Sequence, residues 1–232
     1  MSLPPRIRRQ LSRFKGTVIQ QLNRVRSVEA IFDSIYRHHG WGDGQSVSGT
    51  GSNLEQTRYI RSQLPELFRR YNVRTVLDIP CGDFNWMRHV KIDGIRYHGA
   101  DVVEAIIAMN RKLYTTPQIS FSVIDLTRGP LPQVDLVFCR DCLVHFSYRH
   151  IYRALETIVA SSSTFLLTTT FPSQGNTDIV TGSWRPLNLS AEPFCFPEPL
   201  TLINEGYHGP DSGVADKSLA LWRIADLQNM LP

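Results

Sequence analysis

Acidic side chains follow several short apolar runs in this sequence. Asp78, Asp101 and Asp125 each come after such a run, and a fourth run leads into Arg140 and Asp141. The carboxyl ends of parallel strands meet at one edge of a sheet, which is where ligands bind in open α/β folds. If these runs are parallel strands, their polar side chains surround a single ligand site.

The last of these segments also carries a candidate acid–base pair. Asp141 and His145 are four positions apart, so they share one face if Asp141 opens a helix. A side-chain base positioned beside a reacting hydroxyl removes its proton and accelerates the reaction by about 10² to 10⁴. Two assignments are open: Asp141 orients a neutral His145 that takes the proton, or Asp141 is itself the base. Structural roles are open as well, with Asp141 capping a helix or pairing with Arg140, and His145 simply packed.

A tight turn, Pro80-Cys81-Gly82-Asp83, follows the first apolar run. Gly82 lets the backbone approach a ligand closely, and the residues after it can open a helix whose free N–H groups favour a polar or anionic group. Pro80 fixes φ and removes one N–H, which stiffens the turn. The turn is therefore expected to hold a cofactor.

These motifs resemble those of the class I S-adenosylmethionine-dependent methyltransferases. Asp78, Cys81 and Gly82 match the family's first motif, while Pro80 stands where the family usually has its first glycine. Asp101, about 20 residues further on, resembles a ribose-binding acid. The resemblance implies S-adenosylmethionine as cofactor, and Asp125 on the adenine amino group. The cofactor-binding residues predicted here are Asp78, Pro80, Cys81, Gly82, Asp83, Asp101, Val102, Asp125, Leu126 and Arg140.

A closer resemblance is to stand-alone methyltransferases with Asp-x-Pro-Cys-Gly-Asp and Arg-Asp-x-x-Val-His patterns, some of which are linked to glycan modification. It implies O-methylation of a sugar hydroxyl. N- or O-methylation of a small metabolite and a non-catalytic cofactor-binding module are the alternatives. A NAD-dependent dehydrogenase also uses an acid after its second strand, but this turn lacks Gly-x-Gly-x-x-Gly.

A polar loop after the fifth apolar run could bind a sugar. Trp184 offers a stacking face, and its polar neighbours offer forked hydrogen-bond partners. The residues predicted to bind the acceptor are Asn176, Asp178, Trp184, Arg185 and Asn188. An irregular structural flap is the other interpretation. Asp141 with Asp178 could hold Mg²⁺, but no clear carboxylate cluster accompanies them, so no metal site is predicted.

The segment before the first strand is rich in glycine and serine from Trp41 to Ser52. Helices are predicted on both sides of it, over 28–39 and over 54–71, with Ser52 or Asn53 capping the second. In the resembling family this segment folds over the methionine end of the cofactor and over the acceptor. Trp41 and Arg58 are the candidates for the cofactor, and Tyr36 is the candidate for the acceptor. Ordinary packing is the alternative for each of them.

Beyond residue 73, apolar runs alternate with helical segments, which favours an α/β fold. We predict a Rossmann-like, doubly wound, mostly parallel seven-stranded sheet with helices on both faces and an antiparallel last strand. The predicted parts are a basic amphipathic helix at 1–27, a helical cap with the Gly/Ser-rich loop at 28–72, and the cofactor-binding domain at 73–232. The 232 residues suffice for one domain with a sizeable core.

Positive charge is concentrated in the first 27 residues, which hold seven of the 25 Lys and Arg residues and no acid. Apolar residues recur there at steps of three or four, typical of a helix that could lie on an anionic membrane surface, or pack on the domain or on a second subunit. Nucleic acid is the least supported partner, because the rest of the chain is not basic. The sequence shows no membrane-spanning run and no signal-peptide pattern, and its four cysteines fit reduced thiols, so a cytoplasmic protein is expected.

Overall fold

Seven strands form one sheet in the computed structural model, which describes residues 20–206 and 215–230. The strands are β1 Thr75–Asp78, β2 Arg96–Asp101, β3 Ile119–Val123, β4 Leu136–Cys139, β5 Phe165–Thr170, β6 Thr201–Asn204 and β7 Ser218–Arg223. Their order in the sheet is β3-β2-β1-β4-β5-β7-β6. The first five pair in parallel, whereas β7 is antiparallel to both β5 and β6. The predicted Rossmann-like sheet with its antiparallel last strand is confirmed.

Helices cover both faces of this sheet. They are α1 Val28–Arg37, α2 Arg58–Arg70, α3 Glu104–Tyr114 and α4 Tyr148–Ala160. Alternate strand residues point to opposite faces, and accordingly Val137 belongs to an apolar cluster with α4, whereas Phe138 belongs to a second cluster with α2. All four residues of β4 are buried, as expected for a central parallel strand.

Two predicted helix starts were wrong for local reasons. Helix α2 begins at Arg58 rather than near residue 54, because Asn53 serves the preceding turn, where its Oδ1 accepts from the Gln56 N–H at 2.8 Å. The helix predicted from about residue 85 is only a 3₁₀ turn, Met87–His89. Phe84 has a φ of 56°, a left-handed conformation that interrupts helical geometry.

Most of the predicted basic helix at 1–27 lies outside the described residues, which begin at residue 20. Within the described ranges, no helix combines the length and the hydropathy needed to cross a bilayer. All four cysteines are free thiols.

Candidate active site

The carboxyl ends of the central strands open into a cavity of about 390 Å³. Four of the predicted strand-end residues, Asp78, Asp101, Arg140 and Asp141, meet in its wall. The other predicted residues that line it are Tyr36, Trp41, Pro80, Cys81, Gly82, Val102, Leu126, His145 and Trp184. The cavity therefore joins the strand ends to the segment that precedes the first strand.

Asp101 organises the glycine turn from the neighbouring strand. Its Oδ2 accepts from the Gly82 N–H at 3.2 Å, and its Oδ1 accepts from the Val103 N–H at 2.9 Å. Gly82 has a φ of 53°, which a residue without Cβ adopts at low cost. The peptide before Pro80 is cis. The carboxylate at the end of β2 thus fixes the backbone that follows β1.

Two buried acids in the wall titrate close to neutral pH. Burial raises the pKa of Asp78 to about 7, against the lowering effects of the Tyr97 hydroxyl and the Arg140 guanidinium. Burial also raises the pKa of Asp101 to about 6, even though backbone N–H groups, including those of Val103 and Gly82, stabilise its ionised form. A bound cation would favour ionisation of both carboxyl groups.

Three buried charges and the partly exposed Asp141 carboxylate form a compact network beside these acids. Arg140 donates to both oxygens of Glu205, at 3.0 and 2.6 Å, and its Nη1 lies 3.2 Å from Asp141 Oδ2. Lys217 Nζ lies 2.6 Å from the same Asp141 oxygen and 3.4 Å from Glu205 Oε2. Burial alone would raise the pKa of Asp141, but Arg140 and Lys217 hold it well below its usual range. Asp141 is therefore a poor proton acceptor.

Sequence reasoning missed Glu205 and Lys217. Glu205 follows β6 and Lys217 precedes β7, and the Glu205 N–H donates to the Lys217 carbonyl at 2.8 Å. Their opposite charges, at the facing ends of two C-terminal apolar runs, were a sequence signal of a pairing. Nothing local indicated that Arg140 would be their partner.

His145 stands in the cavity wall as a neutral imidazole. Its Nδ1 lies 2.9 Å from the Ser183 carbonyl oxygen, which can only accept, so the proton is on Nδ1 and the Nε2 lone pair is free to accept. Burial lowers the pKa of His145 to about 4, outweighing the raising effects of the Ser183 carbonyl and of Asp141. The indole of Trp41 stacks on the ring at a centroid distance of 4.4 Å.

The predicted geometry of the Asp141–His145 pair was wrong. Asp141 has a φ of 52° and does not open a helix; a 3₁₀ turn, Leu143–His145, follows instead. The carbonyl of Ser183, rather than the Asp141 carboxylate, orients the imidazole. Asp141 is ion-paired with Lys217, whereas the Nε2 of His145 has no hydrogen-bond partner among the described residues.

Three residues predicted to bind the cofactor do not line the cavity. Asp125 turns toward its own loop, where Oδ1 accepts from the N–H and the hydroxyl of Thr127 at 2.8 and 2.7 Å. Arg58 lies on the exposed first turn of α2, in a separate groove against β6, with Glu55 at 3.8 Å. Asp83 holds the Gly/Ser-rich segment, as described below.

Four polar residues predicted to bind the acceptor instead bond to backbone groups of their own loop or of the neighbouring segment 143–148. Asn176 and Asn188 are held by mutual side chain–backbone hydrogen bonds, at 2.7 and 2.9 Å. Arg185 is buried and donates to the carbonyls of Leu143 and Phe146. Asp178 caps α4, because its Oδ1 accepts from the Tyr148 N–H at 2.7 Å. Trp184 alone of this set reaches the cavity, and its side chain is 48% exposed.

The Asp178 cap gives a direct test of this structural role. We expect Asp178→Ala to lower the free energy of unfolding by about 1 kcal/mol, because the first turn of α4 loses its acceptor. Asp178→Asn, which keeps an oxygen there, should retain most of the stability. Urea unfolding of the three proteins measures the difference, and equal midpoints for wild type and Asp178→Ala would contradict the assignment.

The suggested magnesium pair is not assembled, since Asp178 caps α4 while Asp141 is held by Lys217. Over 20–206 and 215–230, no group of three or more His, Cys, Asp or Glu side chains is arranged to hold a metal ion.

Comparisons with known proteins agree with this geometry. Residues 76–161, from β1 to the end of α4, match the family model described as a methyltransferase domain. A comparison with curated protein sequences found no match.

Solved structures with this fold include the following three. The N-methyltransferase NodS from Bradyrhizobium japonicum WM9 is 17% identical, with a TM-score of 0.53, over 73% of this chain and 96% of that one. The PH0226 protein from Pyrococcus horikoshii OT3 is 14% identical, with a TM-score of 0.53, over 74% of this chain and 92% of that one. Human N-acetylserotonin methyltransferase in complex with SAM is 15% identical, with a TM-score of 0.52, over 85% of this chain and 60% of that one. These likenesses show a shared fold.

The strand order and the acid-and-glycine turn agree with the matched methyltransferase domain. Residues 76–161 thus form a methyltransferase domain, and S-adenosylmethionine is the cofactor that this domain implies. The cavity suits that group: two acids of raised pKa can face its cationic and hydroxyl parts, Gly82 permits close approach, and Val102 and Leu126 give an apolar wall for the adenine.

Proposed function

We propose that this methyltransferase O-methylates a small acceptor whose flat, apolar face packs on aromatic side chains, with His145 as proton acceptor. The observation that carries the proposal is the neutral His145 imidazole, whose Nε2 is free while Ser183 holds Nδ1. An attacking hydroxyl must lose its proton as the new bond forms, and a positioned imidazole can take it.

The acceptor end of the cavity is lined mainly by rings. Trp41 stacks on His145 and contacts Phe32, whose centroid lies 5.5 Å away, and Tyr36 and Trp184 also line the cavity. Such walls favour flat ligands and exclude water from the reacting groups. The hydrogen-bonding side chains expected of a polar sugar site, in contrast, are used in bonds to the protein's own backbone.

The low basicity of His145 limits the class of hydroxyl that it can deprotonate. An imidazole whose pKa is about 4 is a weak base, so it suits a hydroxyl that is itself acidic, such as a phenol. The sugar hydroxyl implied by the sequence resemblance is the second candidate, because the exposed face of Trp184 can stack on a sugar ring.

The bound cofactor supplies an electrophilic methyl group on a sulfonium. The carboxylates of Asp78 and Asp101 bind the cofactor. The aromatic walls hold the acceptor in line with the methyl group, and His145 Nε2 accepts the acceptor's proton. The imidazolium so formed is stabilised by the nearby Asp141 carboxylate, which raises the pKa of His145.

The assay is S-adenosylhomocysteine formation by the purified chain with three sets of acceptors: phenols, monosaccharides and primary amines. We expect turnover with a phenol, and with that acceptor His145→Gln should lower kcat by about 100-fold while cofactor affinity stays within a few-fold. His89→Gln, at an exposed position outside the cavity, is the matched control. Undiminished kcat in His145→Gln would exclude the imidazole as base, and turnover with amines alone would exclude O-methylation.

A further inference from the structure

Asp83 joins the glycine turn to the Gly/Ser-rich segment. Its Oδ1 accepts from the Ser46 hydroxyl at 3.0 Å, and its Oδ2 accepts from the Val47 N–H at 2.9 Å. The Asp83 N–H donates in return to Ser48 Oγ at 3.2 Å. A Cβ on Gly82 would lie only 2.3 Å from Ser48 Oγ, so the glycine turn packs directly on the Ser48 side chain.

The residues held by Asp83 form one unit with Trp41. Asp43 Oδ1 accepts from the N–H groups of Gln45 and Ser46 at 2.7 and 2.8 Å, which ties the start of the segment to its middle. Gly49, with a φ of 96°, packs on Trp41, where an added Cβ would lie 3.3 Å from the Trp41 carbonyl oxygen. A displacement at Ser46 and Val47 would therefore be transmitted to the indole.

The indole in turn covers the imidazole. Trp41 and His145 stack at 4.4 Å with an interplanar angle of 31°. The other groups that act on the His145 ring are the Ser183 carbonyl and the Asp141 carboxylate, which raise its pKa, and the Lys217 and Arg185 cations, which lower it. None of the charged groups belongs to the Gly/Ser-rich segment, so that segment acts on the imidazole by excluding water.

We propose that Asp83 is a positioning residue for His145: it holds the Trp41–Ser52 segment on the glycine turn, and so keeps Trp41 stacked over the imidazole that takes the acceptor proton. The role of that imidazole rests on the proposed function. Through this one carboxylate the cofactor turn and the base are linked, although Asp83 does not line the cavity.

The test is a titration of the His145 ring by NMR, with its resonance assigned by its loss in His145→Gln. In Asp83→Ala, water gains access to the ring, so the pKa of His145 should rise from about 4 toward its ordinary value of 6.5. Asp83→Asn keeps an oxygen for Ser46 but loses the acceptor for Val47, and an intermediate pKa is expected. Asp93→Ala, an exposed acid outside the cavity, is the matched control and should titrate as wild type.

A second measurement reports on turnover. Because only the neutral imidazole accepts a proton, the acid limb of kcat/KM should move to higher pH in Asp83→Ala, with activity at pH 5.5 falling more than activity at pH 8. An unchanged His145 pKa in a folded Asp83 variant, with Asp83→Asn used if Asp83→Ala does not fold, would overturn the proposal. If wild type methylates no acceptor but the pKa moves, the proposed function fails while the positioning role stands.

Discussion

Asp101→Asn is expected to weaken the binding of S-adenosylmethionine by about 100-fold. The Asp101 carboxylate is buried, supports the glycine turn through Gly82 and Val103, and lies where a ribose-binding acid is expected. Hydrogen bonds to a charged group contribute roughly 1.5 to 3 kcal/mol, and the amide keeps only part of them. Isothermal titration with S-adenosylmethionine and S-adenosylhomocysteine measures the loss, with Asp93→Asn as control.

The same titration repeated across pH tests the electrostatics of the cavity. Both acids have folded-state pKa values above the ordinary 3.8, at about 7 for Asp78 and about 6 for Asp101, so they bind protons in the ligand-free protein at mildly acidic pH. A cationic ligand favours their ionised forms, so the affinity of wild type should rise from pH 5 to pH 8 and then level off. In Asp101→Asn the remaining rise should be that of Asp78 alone, centred below pH 7, because the Asp101 charge that helps to raise the pKa of Asp78 is lost. Affinity that does not change over this range, or binding of the variant within three-fold of wild type, would contradict the assignment.

Gly82→Ala should abolish cofactor binding and lower stability. The new methyl group would stand 2.3 Å from Ser48 Oγ and 3.0 Å from Ser48 Cβ, while the φ of 53° adds about 1 kcal/mol of backbone strain. The Gly/Ser-rich segment must therefore move away from the turn. Calorimetric binding of S-adenosylhomocysteine and thermal unfolding measure the two effects.

Two companion variants make that test specific. Gly44→Ala places a methyl group in the same segment with nothing within 4 Å, and it should bind and unfold like wild type. Ser48→Gly combined with Gly82→Ala removes both clashing atoms, so binding should return in part. The same loss of binding in the double variant as in Gly82→Ala would show that the contact with Ser48 is not the cause.

The sequence was informative where function follows from local pattern. Apolar runs ending in Asp78, Asp101 and Asp141 predicted both the parallel strands and the edge at which the cavity lies, because strand polarity carries those residues to one side. Trp41 was found through its place in a long Gly/Ser-rich loop.

The sequence was misleading where a polar side chain could bind either a ligand or the protein's own backbone. Asn176, Arg185 and Asn188 have the composition of a carbohydrate site, yet the irregular backbone of this loop and of the turn at Leu143 needs the same groups to satisfy its carbonyls and N–H groups. Asp83 lies within the cofactor motif but faces a segment more than 30 residues upstream. Neither periodicity nor spacing indicates such pairings.

The position of Lys217 has a consequence for the order in which the site is completed during synthesis. Lys217 precedes β7, which inserts between β5 and β6 although it is the last strand to be made. Because β6 pairs only with β7, both Glu205 and Lys217 reach Arg140 and Asp141 only when β7 joins the sheet. A nascent chain that already contains every residue of the cofactor turn therefore has only the Arg140–Asp141 pair in the cavity wall, and the network of four charges is complete only when the C-terminal strand closes the sheet.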